Sequence, residues 1–130
     1  MSTITQRFQL LPTMSKYKAT KETLQLYANL LRAVGLEQKG KNMPYTSING
    51  NMYSFIAKEG YVGIRLSTED FNDFVEKYNA KQAVSYGSKM HEYVHVPDDL
   101  LQKTEELVRY MKKSHAYAKT LKPKPTRKKE

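Results

Sequence analysis

The chain has 130 residues, 39% of them apolar and 11% aromatic, with ten Tyr and no Trp, which suffices for one domain with a core of its own. It has no cysteine, so a disulfide framework, a thiolate metal site and a Cys nucleophile are excluded. The net charge of +9 is lopsided: nine basic residues and no acidic one lie from Arg109 to Lys129, leaving 13 basic residues against all 13 acidic ones elsewhere.

Residues 1–16 show no periodicity and read as a flexible N-terminal segment. Its one apolar patch, Phe8 to Leu11, is too short for a secretory signal and stops at Pro12. Met14-Ser15-Lys16 offers an internal start, which would make residues 1–13 an extension. No apolar run approaches the ~18 residues of a membrane span, so the expected location is cytoplasmic, with no membrane partner.

The domain itself is expected over residues 17–121. A helix is predicted from Thr20 to Val34, where Leu24, Tyr27, Ala28, Leu31 and Val34 keep the spacing of one helical face. Thr20 is its N-cap candidate and Gly35 its left-handed stop. Asn49-Gly50 is a strong two-residue hairpin signal, because a type I′ turn needs positive φ at both positions. It joins strands near 43–48 and 51–58, and Glu59-Gly60 turns the chain into a third strand, Tyr61–Leu66. Period-2 alternation places Tyr53, Phe55, Ala57, Val62, Ile64 and Leu66 on the core face. The other face then carries Met43, Tyr45, Met52, Ser54, Ile56, Tyr61, Gly63 and Arg65.

Ser67 caps a short helix with Phe71, Phe74, Val75 and Tyr78 on its buried stripe and Asn79 at its end. Ala83 to Tyr86 reads as a short strand and His91–Val96 as a longer one, with Val94 and Val96 inward and His91, Tyr93 and His95 on the Met/Tyr side. Asp98 opens a long last helix with Leu100, Thr104, Leu107, Val108, Met111, His115 and Ala118 inside; Pro123 and Pro125 end it near Leu121. Residues 122–130 read as a disordered basic tail. The fold class is therefore α+β: an antiparallel sheet of four to five strands with helices on one face. Phe55, Ile64, Phe71, Phe74, Val94 and Leu107 are expected to share one core.

Phosphate-cradling, nucleophile-elbow and helical zinc motifs are all absent from the sequence. His91 and His95 have a metal pair's spacing on a helix, but along a strand it separates them by about 13 Å. The paired acids Glu69/Asp70 and Asp98/Asp99 fall in first helical turns, where they complement the helix dipole, and Glu105/Glu106 reads as a solvated surface pair. No catalytic residue, cofactor or metal ligand is assigned, and the chain reads as a non-enzyme.

Two surfaces carry the functional signals. Met43, Tyr45, Met52, Ile56, Tyr61, Arg65, Tyr93 and His95 make a Met/Tyr-rich interface candidate, open to a homodimer. Arg109, Lys112, Lys113, Lys119, Lys122, Lys124, Arg127, Lys128 and Lys129 make a candidate nucleic-acid contact, weak and indifferent to base sequence. A third class, a small-molecule binder or enzyme on the Tyr/His face, ranks below both.

Several segments also resemble one family. Lys41 and Met43 stand before the hairpin, Asn49-Gly50-Asn51-Met52-Tyr53 forms the turn, and Ile64-Arg65-Leu66-Ser67-Thr68-Glu69-Asp70 leads from strand to helix. Met90-His91-Glu92-Tyr93-Val94-His95-Val96-Pro97 and the closing Tyr117-Ala118-Lys119-Thr120-Leu121-Lys122-Pro123-Lys124 are the most specific. Together, from Lys16 to Pro125, they resemble the TfoX N-terminal domain-like family, named after a bacterial regulator of DNA-uptake competence. The resemblance implies a stand-alone regulatory domain without enzymatic activity or cofactor. The chain departs from the family's Met-Phe-Gly-Gly, having Met43-Pro44-Tyr45-Thr46, and its hairpin arm is shorter.

Overall fold

The computed structural model describes residues 19–40, 43–85 and 88–124. The first helix, α1 (Lys21–Val34), starts where the Thr20 side chain accepts from the Thr23 N–H. It ends where Gly35, at φ 82, donates to the Leu31 carbonyl while Leu36 donates to the same oxygen, so the orphan carbonyls of the last turn are satisfied. Tyr27, Leu30 and Leu31 are its buried residues.

Three strands follow: β1 (Tyr45–Ile48), β2 (Asn51–Ile56) and β3 (Val62–Arg65). Helix α2 (Thr68–Tyr78) is capped by Ser67, which accepts from Asp70 N–H, and closed by left-handed Asn79. Strands β4 (Lys81–Ser85) and β5 (Ser88–His95) complete an all-antiparallel sheet of order β1-β2-β3-β5-β4. Strand β5 thus begins earlier than alternation predicts. The last helix is two: α3 (Asp98–Leu101) and α4 (Thr104–Thr120), broken at Gln102-Lys103. The α+β architecture, in which the predicted order is realised, is a two-layer domain.

The helices cover one face of the sheet. The core between the layers holds Tyr27, Leu30, Ile56, Val62, Ile64, Phe74, Val94, Leu107 and Met111, among others, with Phe71 partly buried against it. A second cluster lies on the opposite face: Phe55, Ala57, Ala83 and Tyr93, with Tyr45, Met52, Tyr61 and Met90 packed on them. The single-face register expected for Tyr53, Phe55, Ala57, Val62, Ile64 and Leu66 is therefore wrong for Phe55 and Ala57.

A β-bulge is the reason. Thr46 pairs with Ser54, but Ser47 pairs with Met52, which leaves Tyr53 without a partner on β1. An extra residue shifts the alternation by one, so Tyr53 and Ser54 both face the helices and the stretch after them, Phe55 to Ala57, is inverted, while Val62, Ile64 and Leu66 keep the expected side. Helix α4 fixes the bulge: buried Ser114 donates to the Tyr53 carbonyl at 3.1 Å, and His115 meets the Tyr53 ring edge-on at 5.4 Å. Ser54 is accommodated in the core by hydrogen bonds with Tyr27 (2.7 Å) and Thr46 (2.6 Å), as a buried hydroxyl requires.

Candidate functional site

Alternation after the bulge assembles the face away from the helices. Phe55 pairs with Gly63, and a Cβ on Gly63 would come within 2.5 Å of the Phe55 ring. The ring thus lies flat across β3, which only a glycine permits there. Tyr93 meets it edge-on at 5.6 Å and Tyr61 at 6.4 Å. This mutual cover leaves Phe55 only 7% and Tyr93 9% exposed, although no helix contributes to the cluster.

The tyrosine hydroxyls are used inside the face. Tyr93 donates to the Met52 carbonyl at 2.6 Å. Tyr61 donates to the Val84 carbonyl (2.5 Å) and accepts from the Val84 N–H (2.9 Å), stitching the loop before β3 to edge strand β4. On the way its ring stacks on His95, 3.8 Å between centroids and 7° from parallel. Burial pushes both phenols up, and burial together with the Lys81 charge pushes His95 down, against a smaller upward pull from Asp98. A cleft of roughly 770 Å³ reaches Tyr61 and His95 from the end of the sheet, between α1 and α3, but does not include Tyr93.

The rim of the face carries an ion pair on an unusual backbone. Between the Gln82–Val94 and Val84–Lys89 pairs, β5 carries extra residues, and Glu92 there takes φ 76, a conformation uncommon for a residue with a Cβ. Its carboxylate accepts from Arg65 Nε at 2.8 Å and from the Tyr117 hydroxyl at 2.6 Å. Burial pushes the Glu92 carboxyl up, but these two bonds outweigh it and hold it below the usual carboxylate range. The Arg65 guanidinium lies 5.6 Å from the Tyr93 ring centre and 6.0 Å from that of Tyr117, within cation–π range.

Of the predicted interface residues, the structure brings Tyr45, Met52, Tyr61, Arg65, Tyr93 and His95 to this face. Met43 is 40% exposed just before β1. Ile56 does not belong: the bulge turns it under the helices, where it is 0% exposed. Alternation alone missed Phe55, Ala83 and Met90; a glycine in the middle of a strand, Gly63, was the available sign that a ring lies across it. The Glu92–Tyr117 bond had no sequence signal.

Among the predicted basic contacts, Arg109, Lys112, Lys113, Lys119, Lys122 and Lys124 are exposed. Lys113 is also 3.7 Å from Asp70. Arg127, Lys128 and Lys129 lie outside the described residues, as does the expected N-terminal segment. The start of the expected tail is bound rather than loose. Lys124 N–H donates to the Asn49 carbonyl at 2.8 Å, and the Asn51 amide donates to the Lys122 carbonyl at 3.1 Å.

Among the described residues there is no group of three His, Asp or Glu that could hold a metal ion, and no helix long and apolar enough to cross a membrane. Comparison with protein-family models, curated proteins and solved structures found no match.

Proposed function

We propose that the chain is a non-catalytic, cytoplasmic regulatory or interaction protein of the TfoX N-terminal-like type, and that the aromatic sheet face is where it pairs with a second copy of itself. The observation that carries this reading is an aromatic and Met-rich face, its Arg65 paired with Glu92, on a molecule of net charge +9. Two such molecules repel, and pairing is easier where Arg65 is already neutralised by Glu92 and Tyr45, Met52 and Tyr61 supply apolar contacts, with Lys81 beside His95 on the edge strand. A two-fold pairing brings the same patch together from both sides. Catalysis is disfavoured on the same face because the Tyr61 and Tyr93 hydroxyls and the Glu92 carboxylate are all engaged in internal hydrogen bonds.

Sedimentation equilibrium tests it. A concentration-dependent dimer is expected, abolished by Met52→Lys with the circular dichroism spectrum unchanged. A chain that stays monomeric at high concentration, or a dimer indifferent to Met52→Lys, sinks the reading.

A second reading is favoured by a separate observation, the exposed basic side of α4: weak, sequence-nonspecific contact with nucleic acid as an accessory protein. The two surfaces lie on different elements and do not compete.

A further inference from the structure

The exposed positions of α4 divide sharply by charge. Glu105 and Glu106 occupy its first turn; beyond them the exposed residues are Arg109, Lys112, Lys113, Ala116, Lys119 and Thr120. At roughly 100° per residue, Arg109, Lys112, Ala116 and Lys119 fall within about 80° of one another, opposite the buried side. That buried side holds Leu107, Tyr110, Met111, Ser114 and Ala118. Lys113 points away from the row, toward Asp70. The row from Arg109 to Lys119 is ~15 Å long, beside a duplex that carries one charge about every 1.7 Å of its axis.

The chain beyond the helix is tied down by a hairpin far away in sequence. Asn51, only 2% exposed, donates its amide to the Lys122 carbonyl. The Asn49 carbonyl receives the Lys124 N–H. The fit is close at Gly50, where a Cβ would stand 2.2 Å from the Lys124 carbonyl oxygen. A tail that only keeps a protein soluble needs no fixed geometry. Here the turn spends a buried amide on holding Lys122 and Lys124, both exposed, just beyond the C-terminal end of α4.

We propose that the outer side of α4 and the latched segment Lys122–Lys124 form one docking surface for the phosphate backbone of duplex DNA, with the Asn49-Gly50-Asn51 turn as the latch that sets its shape. This rests on the nucleic-acid reading above and specifies its partner. The chemistry of the row selects the duplex. It exposes no aromatic ring on which the bases of a single strand would stack. It carries no amide that would read base edges, so contacts are to phosphate and indifferent to sequence. It has no large apolar side chain to enter a lipid surface.

The experiment is fluorescence anisotropy of the full chain with a mixed-sequence DNA duplex across a salt series. Log K should fall linearly with log salt, losing about 0.9 in slope per phosphate contact removed. The triple variant Arg109→Gln/Lys112→Gln/Lys119→Gln lies on the solvent side of α4 and should lower the slope by roughly two to three. Asn51→Ala removes no charge, yet it should weaken binding several-fold and lower the slope by about one to two, as Lys122 and Lys124 lose their placement. Absence of salt-sensitive binding by the unaltered chain overturns both the surface and the nucleic-acid reading. Binding that survives the triple variant overturns the surface while leaving nucleic-acid contact elsewhere standing. Normal binding by folded Asn51→Ala overturns the latch alone; if that variant fails to fold, the triple variant still decides the surface. Equal or tighter binding to single-stranded RNA or to phosphatidylserine vesicles overturns duplex DNA as the partner.

Discussion

Replacing Gly63 by Ala tests the packing on which the aromatic face rests. Gly63 does not sit in the left-handed region, as Gly35, Gly40, Gly50 and Gly60 do, so an alanine there carries no torsional cost. The steric cost is specific: the new Cβ would stand 2.5 and 2.7 Å from two atoms of the Phe55 ring. The ring has to swing outward and give up its edge contacts with Tyr61 and Tyr93. Overpacking costs about 1–3 kcal/mol, and each lost aromatic pair adds about 0.5–1.5 kcal/mol. Against this, alanine gains about 0.5–1 kcal/mol over glycine within a strand. The balance is a net loss of roughly 1–5 kcal/mol, read from urea unfolding. A double-mutant cycle with Phe55→Ala makes the cause explicit. Without the ring, Gly63→Ala should become neutral or stabilising. A loss of the same size in both backgrounds would refute the account of Phe55 lying across Gly63.

Phe74→Ala should cost about 3–5 kcal/mol in the same assay, since Phe74 is fully buried between Tyr78 and Tyr110, each 4.9 Å away; a cost below 1 kcal/mol would contradict its central place. Truncation after Leu121 lowers the net charge by four, from +9 to +5, by removing five basic residues and Glu130. It also strips the Asn51 amide of its Lys122 acceptor, so unfolding should cost about 1–3 kcal/mol less, and an unmoved midpoint would mean that the latch holds nothing. The depressed Glu92 carboxyl makes stability rise with pH: below the ordinary carboxyl pKa the unfolded chain protonates first, and the Glu92 contribution disappears as pH falls through its lower folded value. Stability of Glu92→Gln should therefore be flatter against pH in that acid window. His95 is likewise depressed, so stability should also fall as pH drops below the ordinary histidine range, and His95→Gln should remove that slope.

Much of the fold is legible in the residues because the determinants are local. Helix α1 is announced by Thr20 and Gly35, and α2 by Ser67 and Asn79, since a cap needs only a side chain and a backbone group a few residues away. The β1–β2 turn follows from Asn49-Gly50, which both take positive φ. The basic end, too, is a property of composition, and the exposure of Arg109, Lys112 and Lys119 follows from helical periodicity. The sidedness of the sheet is different. Phe55 is placed on the far face by one unpaired residue, Tyr53, whose carbonyl is satisfied by Ser114, 61 positions away in sequence. Alternation cannot anticipate that, because a single insertion inverts every side chain after it on the same strand. The same holds for Glu92, whose left-handed backbone is held by Arg65 and Tyr117, and for Lys122, whose carbonyl is claimed by Asn51. The residues supply the donors and acceptors; which of them meet across the chain is decided only when the helices pack on the sheet.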